Sequence, residues 1–236
     1  MKNHMVRLSK NYILHFEIYL SIKVIIFFLP ALILFSCNTL KNYNMDDYNY
    51  ALDYSIELND MPVMTQETGY TCFLVSMAIV RNYFNLKTTE YSLLKELNIL
   101  NNERGMLPSE YLSYANEAFK PLSYSVLLLN PRSEVVILNI ITESLIKGLP
   151  AIFFYSSIDD WNKPNYNTHY SIIYGIDMSK QIIKISNPYG YLKELSFREF
   201  FMGLSFQNYR SKPFKFQLGR IVGHIKKNNI FLLDKD

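Results

Sequence analysis

The chain has 236 residues, enough for one domain with a substantial core and few for two. Its 49% hydrophobic and 19% charged residues exclude general disorder, while 19 tyrosines and 16 phenylalanines make the interior or a cleft rich in aromatic rings. A net charge of +3, with several basic residues in the first 23 positions, gives no electrostatic case for nucleic-acid binding.

At the N-terminus, Lys2, Arg7, Lys10 and Lys23 precede VIIFFLPALILF, an apolar run of twelve residues. A membrane-crossing helix needs about 20 apolar residues, so a run this short behind a basic flank reads as a signal peptide over residues 1–36. Leu34-Phe35-Ser36-Cys37 resembles the lipobox of bacterial lipoproteins, with a bulky Phe35 at one position. That resemblance implies a lipid on Cys37, export, and anchoring at the bacterial cell membrane or outer membrane. An uncleaved anchor, or a start at Met5, would also export the remainder. Two cysteines in an exported chain can pair as a disulfide. If Cys37 carries lipid, Cys72 is the one thiol of the mature chain.

Residues 37–57 are rich in Asn, Asp and Tyr with little apolar periodicity, which suits a lipidated tether. Folding is predicted to begin near Leu58, with a single domain over 58–236. TCFLVSMAIVRNYF, 71–84, has helical spacing with Thr71 placed as N-cap, so Cys72 falls in the first turn. Further helices are predicted over 88–100, over 108–119 behind Pro108, and over 134–148 closed by a glycine. After Pro150 the runs AIFFY, HYSIIYGI, QIIKISN and FQLGRIVGHI read as strands, with a short helix over 195–203 capped by Ser196. Helices first and an antiparallel sheet second make an α+β protein. There is no internal repeat and no Gly-rich phosphate loop.

A cysteine attacks as thiolate, and the free N–H groups and dipole at a helix N-terminus favour negative charge there. Cys72 has that location, although a cysteine beside Phe73, Leu74 and Val75 is equally compatible with plain core. Of the histidines, His4 and His15 lie in the signal peptide. His169 opens a strand after the polar loop SSIDDWNKPNYNT, and His224 lies late among basic residues. The strand-end position makes His169 the candidate base, against the common alternative of a structural histidine. Its second ring nitrogen needs an acceptor, for which Asp177 and Asn187 compete. Asp177 stands eight residues along the same strand, about 26 Å away at ~3.3 Å per residue. A hairpin turning at Asp177-Met178-Ser179 instead brings Asn187 opposite His169, with the register uncertain by a residue. Gln66, six residues before Cys72, has a side-chain amide suited to an oxyanion, alongside the Cys72 backbone N–H.

QETGYTCFLVSMAIVRNYFN, IKGLPAIFFY, and HYSIIYGIDMSKQIIKISNPYG followed by LSFREFF together resemble the papain-like cysteine peptidases of the bacteriocin-processing, double-glycine-leader type, in particular freestanding relatives. The resemblance spans roughly 60–205 and implies a papain-like fold, with an N-terminal helical part carrying the Cys72 helix packed on a C-terminal antiparallel sheet. It implies Cys72 as nucleophile, His169 as base, Asn187 as orienting residue and Gln66 as oxyanion donor, acting on a peptide or protein substrate without metal or organic cofactor. Three features depart from the family pattern. Phe73 follows the nucleophile where a small residue is common, Asn187 stands where aspartate is frequent, and no transporter or ATPase domain accompanies the peptidase region. Two rival functions keep the fold: an inactive lipoprotein that binds peptides or wall fragments, motivated by Phe73 crowding the cleft and by the aromatic richness, and a transglutaminase-like acyltransferase. The polar loop 156–168, with Trp161, is the candidate specificity element.

Overall fold

The computed structural model describes residues 53–99, 108–156, 168–205 and 226–235. Residues 1–52, and with them the signal peptide, Cys37 and most of the tether, lie outside these; so do Trp161 and its loop, the FQLGRIVGHI run and His224.

The predicted helices are present: α1 Cys72–Tyr83, α2 Glu90–Glu96, α3 Pro108–Phe119, α4 Glu134–Ile146 and α5 Phe197–Leu204, with ends within two residues of those expected except at α2, which stops at Glu96, well short of the expected 88–100. Local capping accounts for several of these boundaries. Thr89 and Ser92 form a reciprocal capping box at the start of α2, and Ser196 with Glu199 does the same for α5. Past α4, Gly148 adopts φ +74° and donates its N–H to the Leu145 carbonyl, a left-handed stop that suits glycine. Thr71 occupies the N-cap position of α1 but does not cap it. Its hydroxyl donates to the Thr68 carbonyl at 3.2 Å instead, so the first amides of α1 are left to other acceptors.

Among the described residues, seven strands form one antiparallel sheet: β1 Ser55–Glu57, β2 Tyr124–Leu129, β3 Ala151–Ser156, β4 Thr168–Asp177, β5 Ile182–Asn187, β6 Tyr191–Ser196 and β7 Asn229–Lys235. The order is β2-β7-β3-β4-β5-β6, with β1 paired to the C-terminal end of β4. Strands β3, β4 and β5 are those read from sequence; β1, β2, β6 and β7 are not. β6, YLKELS, has two adjacent charges and only Leu195 buried, and it forms an edge where the apolar signal is weak. β2 and β7 need each other, pairing from Tyr124 with Lys235 to Leu129 with Ile230, a contact no local pattern announces. β1 takes up the last three residues assigned to the tether. Glu57 forms an ion pair with Lys184 of β5 across Gly175, which has no side chain to separate them.

Helix α1 lies against β4 and is buried from Cys72 to Arg81. Phe73 is fully buried among Tyr111, Tyr170 and Phe231, with ring centroids 4.1, 4.7 and 4.9 Å away. Its ring therefore belongs to the core between α1, α3 and the sheet, and does not narrow a cleft. On the other face of β3, Phe153 meets Phe200 of α5 at 5.3 Å. With helices on both sides, β3 is buried along its whole length and β4 along nearly all of it. The start of β4 is thereby held in a rigid, dry frame.

Candidate active site

Helix α1 and the ends of β4 and β5 bring the sequence-predicted residues to one region. Cys72 is the first residue of α1, 7% exposed and a free thiol. Its sulfur lies against the backbone of Tyr170, the residue that follows His169. Burial pushes the Cys72 thiol up to about 11, and backbone hydrogen bonds from Tyr170, Phe73 and Cys72 itself oppose that rise without cancelling it. The help that the helix terminus gives to a thiolate is thus outweighed by desolvation.

His169 is 1% exposed and lies 3.0 Å, through Nε2, from Asn187 Oδ1. The same Oδ1 accepts the Tyr189 backbone N–H at 2.9 Å, while Asn187 Nδ2 donates to the Tyr191 hydroxyl at 3.1 Å. A backbone N–H can only donate, so the atom facing it is oxygen and His169 Nε2 must carry the proton. In the neutral ring, Nδ1 is then the basic nitrogen. Asn187 thus fixes the tautomer as well as the orientation of the imidazole.

Asn187 reaches His169 by a different register from the one read in sequence. The β4–β5 ladder turns through four residues, from Asp177 paired with Ile182, and slips by one residue between Ile173 and Gly175. Its last pair is Ile172 with Ser186, which carries Asn187 to the level of Ser171, two residues along from His169. The side chain spans that diagonal. Asp177 serves the turn instead, where its Oδ1 accepts the Ser179 hydroxyl and the Lys180 N–H. That Lys180 amide is the chief reason its carboxyl is held below the ordinary range.

Asn187-Pro188-Tyr189-Gly190 forms a tight turn at the site. The Gly190 N–H donates to the Asn187 carbonyl at 2.9 Å, and Gly190 has φ +90°, giving a three-residue hairpin loop between β5 and β6. Pro188 has the pre-set φ of the turn, and Gly190 takes the left-handed position. The turn lifts Tyr189 so that its ring stacks on His169, with centroids 4.5 Å apart and planes 9° from parallel. The Pro and Gly flanking Tyr189 are the signal that could have exposed this arrangement.

Gln66 is docked on the same turn. Its backbone N–H donates to the Pro188 carbonyl at 2.7 Å, and Thr65 bridges Tyr189. Its side-chain Nε2 donates to the Thr68 carbonyl at 2.7 Å. An amide nitrogen has two protons, so a second N–H remains beyond that bond, while Oε1 is buried without a hydrogen-bond donor. The described residues contain no cluster of His, Cys, Asp or Glu suited to a metal ion.

The Peptidase_C39 like family model matches residues 58–212, about two thirds of the chain. The chain belongs to the Peptidase_C39 like family. It is a cysteine peptidase, a hydrolase, on a papain-like α+β fold. Among solved structures, a putative C39-like peptidase from Bacillus anthracis aligns with TM-score 0.52 and 15% identity, covering 78% of this chain and 99% of that one. The peptidase domain of Streptococcus ComA, a bifunctional ABC transporter of a quorum-sensing pathway, aligns with TM-score 0.45 and 13% identity, over 75% and 99% of the two chains. A double-glycine-motif protease from an AMS/PCAT transporter, in complex with its leader peptide, aligns with TM-score 0.45 and 11% identity, over 74% and 91%. No curated protein sequence matches the chain significantly.

Proposed function

We propose that this C39-like peptidase cleaves a peptide bond through a thioester on Cys72, with His169 as base, Asn187 as its orienting acceptor and Gln66 as oxyanion donor. The observation that carries the reading is the imidazole pinned by Asn187, whose oxygen is identified by the Tyr189 amide. Cys72 Sγ attacks the scissile carbonyl carbon as its proton passes to His169 Nδ1. Charge grows on the carbonyl oxygen, where the second Gln66 Nε2 proton and the Cys72 backbone N–H donate. The imidazolium then protonates the departing amine, and the carbonyl reforms as a thioester. Water deprotonated by His169 attacks the thioester, returning the free thiol and releasing the acid. With the sulfur buried and the resting thiol protonated, His169 acts as a general base on a neutral thiol. Phe73 lies in the core, so packing accounts for one of the two features behind the inactive alternative.

We further propose that the domain is exported and held at a membrane by a lipid on Cys37, on the strength of the basic flank, the short apolar core and the Leu34–Cys37 tetrad. Labelled palmitate incorporated by the full chain and lost in Cys37→Ser is the expected result; no incorporation refutes it. For the chemistry, Cys72→Ala is expected to abolish hydrolysis of a peptide library by the purified protein while leaving its thermal midpoint near the parent value. Undiminished hydrolysis by that variant would overturn the assignment.

A further inference from the structure

Glu90 is a buried carboxylate that the catalytic steps above leave unused. It is the first residue of α2 and 5% exposed, a costly place for a charge unless a specific partner holds it. It is not needed to cap its own helix, since Thr89 and Ser92 already satisfy that end reciprocally. Its Oε2 instead accepts the backbone N–H of Glu67 at 2.9 Å, a contact between residues 23 apart in the chain. An ionised acceptor makes this bond roughly twice as strong as a neutral one.

The position of that bond is what gives it meaning. Gln66 and Glu67 present two consecutive backbone N–H groups, and each is fixed by a different element. The Gln66 N–H is held by the Pro188 carbonyl in the turn that carries Asn187, and the Glu67 N–H is held by Glu90 from α2. Helix α2 is itself tied to α1 by the two bonds from Arg81 to the Glu96 carboxylate, both at 2.9 Å. The loop that presents the Gln66 amide is therefore clamped to both halves of the site, to the histidine side by Pro188 and to the cysteine helix by Glu90 through α2.

We infer that Glu90 is a positioning residue for the oxyanion donor: its carboxylate, by holding the Glu67 amide, sets where the Gln66 side chain stands relative to Cys72. This rests on the reading of Gln66 given above. A displacement of a reacting group by about 1 Å can cost about a hundredfold in rate, so the loss of one anchor is expected to be visible.

The test compares two reactions of the same thiol in the purified full chain. Acylation by p-nitrophenyl acetate passes through an oxyanion; alkylation by iodoacetamide does not. Gln66→Ala is expected to slow acylation by about tenfold or more and leave alkylation within about twofold. Glu90→Ala is expected to do the same, and to add nothing further in the Gln66→Ala background, because both changes remove one function. Glu90→Gln keeps an acceptor oxygen and is expected to restore acylation. Normal acylation in Glu90→Ala, while Gln66→Ala is slow, would overturn the inference alone. So would effects that multiply in the double variant, or a parallel loss of acylation and alkylation, which would mark a general structural role. Normal acylation in Gln66→Ala would remove the oxyanion assignment and this inference with it.

Discussion

Burial of the Cys72 sulfur has a measurable consequence in the pH dependence of its reactivity. The thiol is raised from its ordinary value of 9.0 to about 11, chiefly by desolvation. Two tenfold steps in proton affinity amount to about 2.7 kcal/mol and leave about a hundredfold fewer thiolates at neutral pH than an unperturbed thiol has. Iodoacetamide modification of the substrate-free protein, followed by intact mass from pH 6 to 11, should therefore be slow at neutral pH and still climbing above pH 9. His169→Ala should leave this profile nearly unchanged, because the shift arises from desolvation. The linked effect on stability has the same sign: the contribution is complete below pH 9 and is lost as pH rises through the interval from 9 to about 11, where the folded state resists ionisation. Cys72→Ala should lack that component of alkaline destabilisation. A rate that is already on a plateau below pH 8.5, and that loses the plateau in His169→Ala, would instead show a preformed thiolate–imidazolium pair and rule out a thiol held neutral by burial.

Asn187→Ala removes the acceptor that fixes the His169 tautomer and should lower kcat by about 10² or more, within the range for a mispositioned general base, whereas Asn187→Asp keeps an acceptor and should retain most activity. A kcat for Asn187→Ala equal to the parent's would show that the hydrogen bond plays no part in turnover. Gly190→Ala would bring a Cβ within 2.3 Å of Thr65 Oγ1 at φ +90°. It should cost about 1–3 kcal/mol in denaturant unfolding and reduce activity with it, and Thr65→Ala should recover part of the loss, the remainder being backbone strain. Full stability in the single variant would contradict the close approach. Phe73→Ala empties the centre of the aromatic cluster and should destabilise the fold by about 3–5 kcal/mol, read from the same unfolding curves. A cost below 1 kcal/mol, with faster turnover, would restore the view of Phe73 as an obstruction in the cleft.

The helices were legible because their signals are local: the Thr89 and Ser196 caps, Pro108 and Gly148 mark ends that the structure shares closely. The strands were legible only where apolar runs are strong, as in β3 and β4. β2 and β7 lie about a hundred residues apart and stabilise each other through a ladder invisible to any local window. The partnership of His169 with Asn187 was readable from a hairpin and two side chains, yet its register depended on a four-residue turn and a bulge at Tyr174 that composition does not encode. Tyr189 and Glu90 carry no sequence signal of their own, because what sets each apart is a contact in space. A tyrosine in a turn and a glutamate at a helix start are ordinary until the ring is found on His169 and the carboxylate on the Glu67 amide. For Cys72 the helix dipole is visible in sequence, whereas the depth at which the sulfur is buried is not.

Covalent catalysis by Cys72 is tested most plainly by the intact mass of the protein quenched in acid during turnover of an activated acyl ester. A thioester intermediate gives an added mass equal to the acyl group, mapped to Cys72 by peptide sequencing, released by hydroxylamine and absent from Cys72→Ala. Turnover with no adduct at Cys72, or with the same adduct in Cys72→Ala, would contradict it.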